Sequence, residues 1–174
     1  MQKIVKYVIF ETKWGYFGLC GTESALCRTC LPRPEPKKIE SLLLKNSPDA
    51  KFDRTFFKAL QKQITAYFEG SFVNFSPDIP VDLDGFGGFS RKVLTTCRSI
   101  KFGRTISYFG LAKKVGRPAA SRAVGNILAK NPLPLIIPCH RVLRTDGKMG
   151  GFSAPGGISV KKRMLALEQK ALTA

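Results

Sequence analysis

Residues 105–130 read TISYFGLAKKVGRPAASRAVGNILAK, and residues 131–142 continue as NPLPLIIPCHRV. The first stretch breaks at Gly116-Arg117-Pro118, with Thr105–Val115 before it and a helix from Pro118 to about Ala129 after it. Helix, tight glycine-containing turn, helix is the helix-turn-helix outline. On a wheel of the second helix, Ala120, Ala123, Val124, Ile127 and Leu128 form the inward stripe. The outward face is then Pro118, Ser121, Arg122, Gly125 and Ala129, small residues around one arginine. A helix that reads bases in a major groove presents Asn, Gln, Arg or Lys. Small residues let the backbone come close, which suits a minor groove, with Arg122 long enough to enter a base stack. Phosphate contacts would then supply most of the affinity, with little sequence specificity. The alternative is a helix packed on protein, with Arg122 a solvated charge.

The charge balance favours the first reading. The chain has 174 residues and a formal net charge of +17. Residues 1–90 carry 12 basic and 10 acidic side chains, whereas residues 91–174 carry 17 basic and only two acidic ones, Asp146 and Glu168. So lopsided a field points to a polyanionic partner. A hydrophobic content of 44% with 13 Phe excludes general disorder. No apolar run reaches the roughly 18 residues of a membrane helix. Met1-Gln2-Lys3-Ile4-Val5-Lys6 places charge inside its only apolar run, so no secretory signal is expected. These features describe a soluble cytoplasmic protein, expected to be a monomer.

Two domains are expected, 1–80 and 89–174, joined by a linker at 81–88 within the Pro/Gly-rich stretch Ser76–Gly88. The first is α/β. Lys3–Phe10 and Trp14–Thr22 read as strands, Pro32, Pro34 and Pro36 as a break, and Asp53–Glu69 as an amphipathic helix stopped by Gly70. In the second, Phe89, Val93, Leu94, Cys97 and Ile100 mark a helix, and Val142-Leu143 a strand entering a hairpin turn at Thr145–Lys148. A glycine-rich loop around Gly150–Gly157 follows, then a last helix through Val160, Met164, Leu165, Leu167 and Ala171.

Cys139 stands between Pro138 and the pair His140-Arg141, and His140 is the only histidine. Cationic neighbours favour thiolate, the nucleophilic form of cysteine. In extended chain adjacent side chains point to opposite faces, so His140 is expected to act on Cys139 through a water. An imidazole in that role needs an acid to set its tautomer. Glu168, at the edge of the last helix's apolar stripe, is the better candidate than Asp146 in its turn. Cys97 reads as core. Cys20, Cys27 and Cys30 leave zinc ligation or a Cys27–Cys30 bridge open, although a lone CxxC without His is a weak metal signal.

Asn131-Pro-Leu-Pro-Leu-Ile-Ile-Pro138-Cys139-His140-Arg141-Val142 resembles the active-site segment of the O6-alkylguanine-DNA alkyltransferases (methylated-DNA–protein-cysteine methyltransferases). The resemblance extends from about Phe89 to Glu168. It implies a ribonuclease-H-like α/β N-terminal domain and a mostly α C-terminal domain with a winged-helix-like helix-turn-helix. It further implies Cys139 as alkyl acceptor, His140 as its base through water and Glu168 as the group orienting His140. Asn131 would hold the turn. Tyr108 would help rotate the nucleotide and donate to guanine, and Arg122 would fill the gap left by a flipped base. Ser121, Gly125, Ala129 and Arg141 are expected at the DNA. Pro134, Val142, Phe152 and Ser153 are expected around the substrate, with Ser153 touching O6. The implied activity is stoichiometric transfer from O6 of guanine, and from O4 of thymine, in double-stranded DNA, with no cofactor or metal. Phe152 stands where many members carry Tyr, and Ala154-Pro155 precede Gly156-Gly157 as extra residues. Two other readings are a helix-turn-helix regulator with a structural Cys139, and a Cys-His hydrolase, which so cationic a domain suits poorly.

Overall fold

The computed structural model describes residues 4–174, so the strand start expected at Lys3 lies outside the described residues. The chain divides at Asp82/Leu83 into two compact units.

In the first unit, β1 (Lys6–Thr12), β2 (Gly15–Thr22) and β3 (Ala25–Arg33) form an antiparallel meander. A short β4 (Lys51–Phe52) joins parallel to β1, giving the order β3-β2-β1-β4. Helix α1 (Pro36–Leu44) buries Ile39 and Leu43 on the sheet. It comes so close to β2 that a Cβ on Gly18 would strike both side chains. Helix α2 (Lys58–Glu69) buries Leu60, Ile64, Tyr67 and Phe68, spaced at i, i+4, i+7 and i+8.

Three features differ from the sequence expectation. The proline-marked break is an edge strand followed by a helix. Pro32 lies near the end of β3, at the sheet edge, where a missing N–H is tolerated, and Pro36 takes the first turn of α1. Second, α2 begins at Lys58 because Asp53 accepts from both the backbone and hydroxyl of Thr55, holding a turn instead. Third, residues 80–82 are not a free linker. Leu26 N–H bonds Pro80 O and Asp82 N–H bonds Leu26 O, so they flank β3.

In the second unit, α3 (Gly88–Arg98) buries Val93, Leu94 and Cys97. Helix α4 (Tyr108–Lys114) is capped by Ser107, whose hydroxyl accepts from Gly110 N–H. It ends in a Schellman turn, with Arg117 N–H on Ala112 O, Gly116 N–H on Lys113 O and Gly116 at φ +82°. Helix α5 (Ser121–Ala129) follows a 3-10 turn at Pro118–Ala120. Its inward stripe is narrower than expected: Val124 and Leu128 are buried, but Ala123, at the edge of the stripe, is exposed.

The strand at Val142-Leu143, β6, does not form a hairpin ladder. A turn is present, with Arg144 N–H on Lys148 O. β6 itself pairs parallel with β5 (Ile106–Ser107), Ile106 opposite Val142 and Ser107 opposite Leu143. Tyr108 begins immediately after β5 and Cys139 lies three residues before β6, so this pairing brings them together. Helix α6 (Gly157–Thr173) closes the unit, burying Lys161, Met164, Leu165 and Glu168 on one face. Among the described residues no helix is long and apolar enough to cross a membrane.

Candidate active site

Cys139 opens a 3-10 turn, Cys139–Arg141, not the extended chain expected from sequence. Pro138 supplies no N–H, and Arg141 N–H closes the turn on its carbonyl. The preceding loop is strained at Leu135, a buried non-glycine at φ +79°. Asn131 braces it. Its side-chain amide donates to Ile137 O (2.8 Å) and to Cys139 Sγ (3.2 Å), while its Oδ1 accepts from Leu133 N–H (3.0 Å).

Behind the turn lies a buried ionic cluster. Glu168 is 0% exposed and accepts at Oε1 from His140 Nε2 (2.7 Å) and from Arg141 Nη2 (3.0 Å). Its Oε2 accepts from Arg141 Nε (3.0 Å) and from Gly103 N–H (2.9 Å). Burial alone would raise this carboxyl, but the bonds and charges of His140 and Arg141 outweigh it and hold it at about 2. Burial pushes His140 below its usual value, against the opposing pull of Glu168. The pair is therefore a carboxylate and a neutral imidazole. Nε2 must carry the proton, since it faces an acceptor-only oxygen. Nδ1 is then a bare base, buried and without a hydrogen-bond partner among the described residues.

Arg141 was expected at the DNA. It is 4% exposed, committed to Glu168 and donating through Nη1 to Ile100 O at 2.6 Å, so it is a buried brace. The expectation that its charge favours a thiolate is reversed as well. Burial raises the Cys139 thiol, offset in part by the Asn131 amide, the Lys161 charge and the backbone N–H groups of Cys139 and His140. The relevant cation is Lys161, which sequence reasoning missed. It is fully buried and makes no ion pair with a carboxylate among the described residues. Nζ donates to Val142 O (2.6 Å) and stands 5.7 Å from the Tyr108 ring centre and 6.0 Å from that of Phe152. Burial lowers its basicity, while Cys139 and Cys97 oppose the shift. A signal was available: Lys161 shares the i, i+3, i+4, i+7 face of α6 with Met164, Leu165 and Glu168.

In front of Cys139 an open cavity of about 770 Å³ is lined by Tyr108, Arg122, Gly125, Phe152 and Ser153, among others. Ser121 and Ala129 line it too. Phe109, exposed at its rim, and Asn126 were not anticipated. Cys139 is 8% exposed, buried yet part of the cavity wall. Gly150 packs against Tyr108 so closely that a Cβ there would collide with the phenol. Ser153 lines the cavity but spends its hydroxyl on Ala129 O (2.6 Å), tying the glycine-rich loop to the end of α5. Pro134 and Val142, expected in the pocket, are not among its lining residues. Pro134 is bridged to Ile137, and Val142 is buried behind the site as the acceptor for Lys161. Cys20, Cys27 and Cys30 are free thiols, so no Cys27–Cys30 bridge is formed. Among the described residues no group of three or more His, Cys, Asp or Glu is arranged as metal ligands.

The chain is similar to known proteins over most of its length. Residues 88–170 match the family described as 6-O-methylguanine DNA methyltransferase, DNA binding domain, and residues 5–83 match its ribonuclease-like domain. The methylated-DNA–protein-cysteine methyltransferase of Methanosarcina acetivorans is 35% identical over 163 residues, covering 93% of this chain and 97% of that protein. The crystal structure of Mycobacterium tuberculosis O6-methylguanine methyltransferase superposes with a TM-score of 0.77 at 31% identity, over 97% of this chain and 94% of that one. The M. tuberculosis OGT in complex with DNA gives 0.78 at 30% identity, over 95% and 94%. A ribonuclease-like α/β unit followed by a helical DNA-binding unit, matched over nearly the whole chain, places this protein in the 6-O-methylguanine DNA methyltransferase family.

Proposed function

We propose that this protein repairs DNA by moving the alkyl group of O6-alkylguanine onto Cys139, once per molecule. The observation that carries the reading is a cysteine in the wall of an open cavity, backed by a neutral imidazole whose free nitrogen is a base and whose other nitrogen is fixed by a buried carboxylate. The cationic second half holds duplex DNA through its phosphates. The small residues Ser121, Gly125 and Ala129 let α5 lie close in the minor groove, without reading sequence. The damaged nucleotide rotates out into the cavity at a cost of about a few kcal/mol, least where pairing is already weakened, and Arg122 fills the gap.

In the cavity the Cys139 proton passes through a water to His140 Nδ1, giving imidazolium beside the Glu168 carboxylate. Sulfur attacks the alkyl carbon and the carbon–O6 bond breaks, its electron pair going to guanine. Tyr108, whose hydroxyl is kept protonated by burial and by the neighbouring Cys139 and Cys97 thiols, donates to guanine N3 as charge develops there. The product is a thioether, which thiol exchange does not reverse. A single chain carries every group named, so the transfer needs no residue from a second copy.

The deciding experiment is intact mass after incubation with an oligonucleotide bearing O6-methylguanine. The expected result is a gain of one CH2 per chain, saturating at one equivalent and located on the Cys139 peptide. Tight binding without mass gain, or repeated turnover, would overturn the reading.

A further inference from the structure

The first unit contains a second pair of sulfurs, remote in sequence from the transfer chemistry. Strands β2 and β3 pair with Gly21 opposite Leu26 and Cys20 opposite Arg28, so the register slips there and Cys27 is the extra residue of a β-bulge. A bulge sets two residues of one strand against one of the other, and here it sets Cys27 as well as Arg28 against Cys20. The Cys27 thiol donates to Cys20 O at 3.5 Å. Opposed residues of antiparallel strands have Cα atoms about 4.5–5.5 Å apart, inside the roughly 4.4–6.8 Å that a disulfide spans.

The two sulfurs are chemically unequal. Cys20 is 0% exposed and packs with Tyr7, Ile39 and Leu43, while Cys27 is only half-buried at the margin of that cluster. The neighbouring Cys20 thiol, aided by the Arg28 guanidinium, brings Cys27 down to about 7 against the effects of burial and of Asp82. Cys20 is pushed up by the adjacent Cys27 sulfur, by burial and by Cys30, with Arg28 opposing. One accessible, ionisable sulfur beside one protonated sulfur is the arrangement that reacts with peroxides and then resolves.

We propose that Cys27 and Cys20 are a peroxide-reactive thiol pair that closes to an intramolecular disulfide across β2 and β3. The Cys27 thiolate attacks one oxygen of hydrogen peroxide and becomes a sulfenic acid, the other oxygen leaving as hydroxide and taking up a proton to form water. The Cys20 sulfur then attacks the Cys27 sulfur, the S–S bond forms, and the sulfenic oxygen departs with the Cys20 proton as a second water. Two thiols are oxidised and one peroxide is reduced. Such intracellular bridges are characteristically transient and redox-sensing.

The test uses the full chain, treated with a few equivalents of hydrogen peroxide near pH 7, blocked with N-ethylmaleimide and mapped by mass spectrometry without reduction. A Cys20–Cys27 crosslinked peptide, two hydrogens lighter and restored by dithiothreitol, is the expected result. Cys27→Ser should abolish the crosslink. Cys20→Ser should leave a dimedone-reactive sulfenic acid on Cys27. Since Cys20 is wholly buried, the unmutated chain supplies a second measurement, in which iodoacetamide labelling of Cys27 should rise with a midpoint near pH 7. A crosslink to Cys30, crosslinks only between chains, peroxide consumed at Cys139 with both thiols intact, or a Cys27 midpoint above pH 8.5 would each overturn the proposal.

Discussion

Replacing Glu168 with Gln tests the buried cluster directly, because it changes charge while keeping shape. Held at about 2 instead of 4.5, the carboxyl favours its ionised form in the folded protein by roughly 3 kcal/mol, at about 1.4 kcal/mol per pH unit. Gln forfeits that and strands the Arg141 guanidinium, which is 4% exposed; breaking a buried pair from one side costs about 3–5 kcal/mol. Urea unfolding at pH 7 should therefore show E168Q less stable by roughly 3 kcal/mol. The pH dependence carries the sign. A group whose folded value is depressed contributes fully above its unfolded value of 4.5 and loses that contribution as pH falls toward 2. The gap between the two proteins should hold from pH 7 to about 5, then narrow by about 1.4 kcal/mol per unit of pH. Single-turnover transfer, measured well below either midpoint of unfolding, should slow by about a hundredfold, the lower end of what a general base contributes. A gap under about 1 kcal/mol, or one that does not change on acidification, would refute the assignment of an ionised carboxylate.

Three further outcomes follow from particular contacts. Lys161→Met removes the buried cation near Cys139, so the pH midpoint of Cys139 alkylation by iodoacetamide should move up by about one unit, with transfer at neutral pH roughly tenfold slower. Arg122→Ala should slow repair of duplex DNA by about tenfold or more while leaving reaction with free O6-methylguanine unchanged, since only the duplex has a gap to fill; equal loss on both would remove Arg122 from the extrusion step. Gly150→Ala should displace the Tyr108 ring and cost about 1–3 kcal/mol of stability in thermal or urea unfolding, with a fall in transfer rate on either substrate.

Much of what was legible in the sequence is set by short-range rules; the exception is the His140–Glu168 pair, 28 residues apart, readable because the second half holds only two acids. The helix-turn-helix could be read because Gly116 and Pro118 punctuate it within a few residues. Asn131, eight residues from Cys139, ends up bonded to its sulfur. What escaped was decided over long range. Arg141 looked like a surface cation because its partner, Glu168, lies 27 residues on, and only packing of α6 against the 3-10 turn joins them. Lys161 went unread, because its burial depends on the carbonyl of Val142 and two aromatic rings from separate segments. In the first unit β3 was missed because Pro32 argues against a strand, and it is tolerated only since β3 lies at the sheet edge. The ionisation of Cys139 was misjudged for a related reason: adjacency in sequence to His140 and Arg141 says nothing about how deeply the sulfur is desolvated.

Lys161 and Glu168 both belong to α6, which follows Cys139 in the chain. A nascent polypeptide that has exposed Cys139 but still holds α6 inside the ribosome has neither the ammonium nor the carboxylate, and its imidazole has no anchor. Such a half-made chain carries the sulfur without the means to use it. If each molecule reacts once, as proposed, this order of synthesis keeps the sulfur idle until α6 has emerged and packed.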